Sequence, residues 1–309
     1  MIDSGDTDEE RLKLLGDKTL GHIWIPPTDK FVFRVGVNLS RKKRGIRSGK
    51  DLTPEDIPRL NTLIFTRRSL LGFVMAQYDP MGLISPILVI LEIQLRKLYG
   101  PESNLSWDDP IPACQKDEWI EIITMLLSMG DIVLNRAVKP SGIVGPPELV
   151  GFWDGSLIAY ACAIYVRWRM KQKKIDGSDV FSVSLVCGKA RVTPVKGITA
   201  PRSEVSGFLI LTRLLKVVVS AMDEKPEMIT IAGDSQSTIS ATEKSGGTLA
   251  PYFASRVSEA ISNLEEISEC TVVNEIQHVP RNLNPAYIPT RARTTPEEVK
   301  SESIWQSGP

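Results

Sequence analysis

The run LVGFWDGSLIAYACAIYVRW, residues 149–168, holds two apolar segments parted by a short polar break. The first, 149–154, is short and ends on Asp154. The second, 159–168, is rich in β-branched and aromatic residues, the composition of strands. VFSVSLV (180–186) has the same character, and the basic loop RMKQKKIDGS (169–178) joins it to the second. Three consecutive strands with short connections predict an antiparallel meander. Downstream, SEVSGFLILTRLLKVVVSA (203–221) has helical length and periodicity. A strand follows at 228–232, helices at 235–243 and 252–267, and a last strand at 271–279. The order βββαβααβ predicts a mixed, five-stranded α/β sheet with flanking helices.

Upstream the pattern changes. KPSGIVGPP (139–147) packs three prolines and two glycines into nine residues and reads as a linker between domains. Before it, 60–130 reads as helical. Ser85-Pro86 sets an N-cap before Pro for a helix to about Tyr99. Asp109-Pro110 repeats the device for a helix through about Met129, which Gly130 ends. Residues 18–39 read as two strands around a Pro-Pro-Thr-Asp turn. RKKRGIRSGK (41–50) is a solvated loop or a phosphate-contacting patch. The domain plan is therefore an acidic tail (1–17), a mostly helical region (18–138), the linker (139–147), the sheet domain (148–293) and a polar C-terminal tail (294–309).

Lys+Arg and Asp+Glu balance at 37 each in 309 residues, so net charge argues for neither nucleic acid nor membrane. The opening MIDSGDTDEE has no apolar core of a secretory signal. The most apolar stretch, 83–91, is about half of the roughly 20 residues a membrane span needs. Four scattered cysteines without a CxxC and only two histidines disfavour disulfides and zinc, and favour a reducing intracellular setting. Any metal is expected on oxygen ligands.

Three carboxylates stand at informative places: Asp154 ends the first strand, Glu204 lies in the first turn of the long helix, and Asp234 lies between a strand and a helix. Bare carboxylates about 4 Å apart would each repel by roughly 4 kcal/mol at an effective dielectric near 20. A divalent cation removes that cost, and all-oxygen donors select Mg²⁺ or Mn²⁺. Each residue also has a plainer reading. Asp234 makes an N-cap, Glu204 favours a helix dipole, and Asp154 starts a turn.

From about Leu20 to Arg291 the chain resembles the pol polyprotein of BEL/Pao retrotransposons, in the region known as the Pao retrotransposon peptidase family. The blocks that carry the resemblance are LGHIWIPPTDKFVFRV, TRRSLLGFVMAQYDPMGLISPI, LSWDDPIP, LVGFWDGSLIAYACAIYV, ITAPRSEVSGFLILTRLL, GDSQSTI, YFASRVSEAI and HVPRNLNPAYIPTR. The resemblance implies a ribonuclease H-like second half and a reverse-transcriptase thumb or connection in the first. It implies Asp154, Glu204 and Asp234 as catalytic metal ligands for two ions that cut the RNA strand of an RNA–DNA hybrid. Asp154 would bridge both ions, and the other two would hold the one on the leaving-group side.

The family pattern ends like HVPG-x-x-NPAD-x-x-SR. This chain has HVPRNLNPAYIPTR, so Tyr287 stands at the expected fourth ligand, and a phenol neutral at pH 7 is no ordinary Mg²⁺ ligand. Weak, Mn²⁺-dependent or absent cleavage is therefore expected, with one ion lost. Glu297 and Glu298 would reach the site only if the tail folded back. His278 reads as structural rather than as a proton carrier.

The polymerase carboxylates are expected upstream of Met1, on a palm and fingers that would be this chain's partner; the chain reads as a gene fragment or a decayed element. Arg167, Trp168, Arg169, Lys171, Lys173 and Lys174 are candidates for nucleic-acid contact, or else form an exposed hairpin with Trp168 in the core. The alternatives to the nuclease are a non-catalytic nucleic-acid-binding or structural module and, as the family's name implies, an aspartic peptidase. Asp3-Ser4-Gly5 has the peptidase letters but lacks the apolar strand such a loop needs, and Asp154-Gly155-Ser156 has the wrong order.

Overall fold

The computed structural model describes residues 18–19, 22–40, 42–43, 46–47, 49–100, 103–243, 249–291 and 293–309. The acidic segment 1–17, with Asp3-Ser4-Gly5, and the side chains of 41–48 lie outside the described residues. The chain forms two compact units. One joins Met81–Ile90 to Val138–Pro309, and the other holds the remaining described residues up to Ala137.

In the first unit β1 (Lys18–Thr19), β2 (His22–Ile25) and β3 (Lys30–Phe33) form an antiparallel sheet, and β4 (Lys42–Lys43) pairs with β5 (Ile46–Arg47). Helix α1 (Arg67–Val74) starts in a reciprocal cap: Ser69 N donates to Thr66 Oγ1 and Thr66 N to Ser69 Oγ, each at 3.1 Å. Helix α2 (Ser85–Lys97) begins where Ser85-Pro86 predicts, and its residues up to Ile90 count with the second unit. Helix α3 (Ala113–Met129) does not begin at Asp109-Pro110. There Asp109 accepts from Ser106 N at 2.8 Å in a turn, and Pro110 forms a bridge with Thr66. Strand β6 (Ile132–Asn135), unforeseen from sequence, alternates buried and exposed residues and closes the first sheet on β3.

The second unit follows the predicted order. Strands β7 (Glu148–Gly155), β8 (Ala159–Lys173) and β9 (Asp179–Val192) make the meander. Helix α4 (Ala200–Ala221), strand β10 (Met228–Gly233), helices α5 (Gln236–Thr242) and α6 (Pro251–Ser268) follow. The last strand is split into β11 (Val272–Val273) and β12 (Gln277–His278), both parallel to β10. At the split the Asn274 amide turns to Thr230 Oγ1 at 3.0 Å. The sheet order is β11-β10-β7-β8-β9 with β12 also on β10, so the two fragments together serve as the fifth strand.

Strand β7 lies between the parallel β10 and the antiparallel β8, which is why it reads as almost unbroken apolar sequence. Leu149, Trp153, Ile164 and Val166 meet Phe208, Leu211 and Leu215 of α4 in one core. Two glycines let α4 lie flush on the end of β7. A Cβ on Gly155 would fall 2.3 Å from Glu204 N, and one on Gly207 would fall 2.6 Å from Asp154 O.

Residues 294–309, read as a polar tail, fold back within this unit. Trp305 of α7 (Ile304–Ser307) is fully buried; its Nε1 donates to Leu83 O at 2.9 Å, and Tyr165 Oη donates to Trp305 O at 2.8 Å. No helix among the described residues is long and apolar enough to cross a membrane.

Candidate active site

Asp154 is the penultimate residue of β7, and Asp234 directly follows β10. The two strands are neighbours in parallel register, with Gly233 opposite Trp153, so both carboxylates leave the same edge of the sheet. This is the edge where open α/β sheets place their chemistry. Asp234 is not the cap of α5. Ser235 fills that place, its Oγ accepting from Thr238 N at 3.2 Å. Glu204 sits one turn later in α4 than the sequence suggested, because the helix opens at Ala200-Pro201. The plain capping and dipole readings of both residues therefore lose their basis.

Asp154 is 6% exposed. Burial, above all, pushes its carboxyl up to about 7; the hydrogen bond from Thr290 Oγ1 opposes the shift, and the like charge of Asp234 adds to it. Asp234 is held from two sides: Asn284 Nδ2 donates to Oδ1 and Arg281 Nε to Oδ2, both at 3.2 Å. The same Asn284 amide donates to Trp153 O at 2.9 Å, tying the segment to β7. Glu204 Oε2 accepts from Ser235 Oγ and, at 3.3 Å, from Ser237 Oγ. Glu204 thus joins the site through the residue next to Asp234.

Tyr287 ends a short 3-10 turn, Pro285–Tyr287, started by Asn284. Its half-buried ring is flanked by two guanidinium groups, Arg281 at 5.3 Å and Arg291 at 5.4 Å from the ring centre. Glu297 and Glu298 do come back with the tail but do not replace a ligand. Glu298 pairs with Arg291 and accepts from Thr295 N at 2.9 Å, and Glu297 pairs with Lys300 at 3.3 Å. His278 is exposed on β12, opposite Gly233.

Sequence reasoning singled out Tyr287 and passed over Arg281, Asn284 and Thr290. The signal for Arg281 was a cation where the resembled pattern has glycine.

Asp154, Asp234 and Glu204 offer oxygen donors only, which suits one hard divalent ion. Beside them stand the Tyr287 phenol and the Arg281 guanidinium, neither of which is a carboxylate donor. Among the described residues no group of three or more His, Cys, Asp or Glu side chains is gathered around a common point.

The basic hairpin departs from its nucleic-acid reading at Trp168. Trp168 is 4% exposed and belongs to the core, under Lys139, whose Nζ lies 4.8 Å from its ring centre, so it offers no face to a base. Arg167 pairs with Glu148, Nε to Oε2 at 2.8 Å, and Arg169 with Asp179 at 3.5 Å; Lys173 also pairs with Asp179. Lys171 and Lys174 are exposed and form no ion pair among the described residues.

A family model described as the Pao retrotransposon-like RNaseH-like domain matches residues 66–235. The match includes Asp154, Glu204 and Asp234 and ends before Arg281 and Tyr287. No curated protein matches. Solved structures similar to this chain include the N-terminal RNase H domain of a Mycobacterium tuberculosis protein, at 13% identity over 44% of this chain and 85% of that one, with a TM-score of 0.30. RNase H1 of the archaeon Halobacterium salinarum is similar at 17% identity over 44% and 89%, with a TM-score of 0.25. LC11-RNase H1 in complex with an RNA/DNA hybrid is similar at 11% identity over 45% and 88%, with a TM-score of 0.25. The family match, over more than half of the 309 residues, carries the assignment: the chain belongs to the Pao retrotransposon-like family of RNaseH-like domains.

Proposed function

We propose that the second unit is a weakened ribonuclease H, acting on the RNA strand of RNA–DNA hybrids at the Asp154–Asp234 edge of its sheet. The observation that supports this most is the pairing of two carboxylates at the ends of adjacent parallel strands, with Glu204 tied to the residue beside Asp234. Asp154, Glu204 and Asp234 would hold one Mg²⁺ or Mn²⁺ ion, which supplies charge stabilisation at the phosphate oxygens when bound. The chain's own groups do the positioning. Thr290 orients Asp154, Asn284 orients Asp234, and Ser235 with Ser237 orient Glu204. Tyr287 offers a phenol rather than a carboxylate to orient an attacking water. In this reading the preceding unit is the thumb or connection of a reverse transcriptase, whose palm and fingers are the partner.

The test is cleavage of labelled RNA–DNA hybrid in Mg²⁺ and in Mn²⁺ by the parent and by Tyr287→Asp. The parent is expected to cut weakly and better in Mn²⁺. Tyr287→Asp is expected to gain about 10-fold or more, the usual worth of a restored ligand shell. No gain would refute the role given to position 287. A second reading, a non-catalytic hybrid-binding or structural module, draws on the contact of Arg281 with Asp234. Hybrid binding without cutting by either form would establish it.

A further inference from the structure

Asp154 and Asp234 adjoin at the sheet edge, Asp154 is buried, and the Asp234 side chain is only 11% exposed. Such a pair calls for a compensating positive charge. Among the described residues one cation forms an ion pair with any of Asp154, Glu204 and Asp234, and that is Arg281. Its side chain is 68% exposed, yet it is fixed at both ends of its guanidinium face. Nε donates to Asp234 Oδ2 at 3.2 Å, and the carbon centre lies 5.3 Å from the middle of the Tyr287 ring. The short turn Arg281–Leu283 and the Asn284 bond to Trp153 O fix where the arginine starts from.

We infer that Arg281 is the resident counter-ion of the Asp154–Asp234 pair, and that its guanidinium and a divalent cation compete for Asp234. Tyr287 is then more than a lost ligand: its ring face steers the guanidinium onto Asp234. An arginine suits this place because its planar fork can lie on an aromatic ring and donate to a carboxylate at once. A bound cation and a paired Arg281 place two positive charges on one carboxylate, so each weakens the other.

The inference rests on the proposed reading of the carboxylates as cation ligands, so its test measures binding rather than cleavage. Mn²⁺ is titrated into the full chain and followed by electron paramagnetic resonance, for the parent, Arg281→Ala and Arg281→Lys. Arg281→Ala is expected to bind Mn²⁺ about 5-fold more tightly, the worth of removing one charge pair whose arginine is largely exposed. Arg281→Lys, which keeps the charge but loses the planar fork that rests on the Tyr287 ring, is expected to fall between the parent and Arg281→Ala. In chelator, Arg281→Ala is expected to melt below the parent, and Mn²⁺ is expected to raise its Tm by more than it raises the parent's. Equal or weaker Mn²⁺ binding by Arg281→Ala, or no binding by any form, would overturn the assignment. Tighter binding by Arg281→Ala with no hybrid cleavage by any form would sink the nuclease reading and leave the counter-ion standing.

Discussion

Two regions of the second unit, the carboxylate edge of the sheet and the basic hairpin of β8 and β9, carry functional signals in sequence, and the fold treats them differently. At the edge, short side chains stand on strand ends whose register is fixed by backbone pairing, so position in sequence becomes position in space. In the hairpin, long cationic side chains reach whichever acid is nearest. Glu148 takes Arg167, and Asp179 takes Arg169 and Lys173. Placement by the backbone can be read from sequence order, but placement by side-chain reach cannot.

The largest test of that contrast is at Gly155. A side chain there would meet the α4 backbone, which has no rotamer to yield. Gly155→Val is expected to destabilise the unit by about 3 kcal/mol or more in urea unfolding, as overpacking against fixed atoms does. A loss below about 1 kcal/mol would show that α4 does not depend on this close approach.

Next comes Trp168, the hairpin residue that belongs to the core. Trp168→Ala is expected to cost about 3 kcal/mol of stability, the low end of the range for buried aromatic truncation, since its Nε1 has no hydrogen bond to lose. Its hybrid affinity, measured under conditions where the variant is folded, is expected to match the parent's. A stable variant with weakened hybrid binding would return Trp168 to the nucleic-acid surface.

These cases mark what was legible. The strand order, the meander and the long helix follow from periodicity, and the edge carboxylates from their place after apolar runs. β8 runs on to Lys173 and β9 to Val192, past the apolar stretches, because ladder hydrogen bonds do not depend on side-chain polarity. The start of α3 was misplaced because Asp109 and Pro110 serve a turn and a bridge as readily as a cap. The buried C-terminal Trp305 was missed because one tryptophan among polar residues carries no period. Arg281 escaped because its partner Asp234 lies far away in sequence.

A smaller effect is expected at Asp154. Its folded-state carboxyl titrates at about 7, above the ordinary carboxylate value of the unfolded chain. Between those values the native state holds a proton that the unfolded state has released. Metal-free stability therefore falls as pH rises through that window and stays low above it. Asp154→Asn does not titrate. In chelator it is expected to be about 1–2 kcal/mol more stable than the parent at pH 8, with a smaller gap at pH 5. A parent that becomes more stable between pH 5 and pH 8 in chelator, relative to Asp154→Asn, would contradict this.

The smallest effect in stability falls on the two hairpin lysines that pair with no acid among the described residues. Lys171 and Lys174 are exposed, and replacing both with Ala is expected to leave stability within about 0.5 kcal/mol of the parent. Their use, if the hairpin meets nucleic acid at all, is electrostatic. The salt dependence of hybrid binding then decides the matter better than affinity at one ionic strength. Each lysine that neutralises a phosphate adds about 0.7–0.9 to the slope of log affinity against log salt. The double variant is therefore expected to lose about 1.5 from that slope, without a change in preference among hybrids of different sequence. Arg169 and Lys173, already paired with Asp179, are expected to contribute less, since each must give up an intramolecular partner to reach a phosphate. A slope unchanged by Lys171→Ala and Lys174→Ala together would leave the hairpin a solvated connection, and the carboxylate edge with Arg281 would stand as the region of this unit built for ionic chemistry.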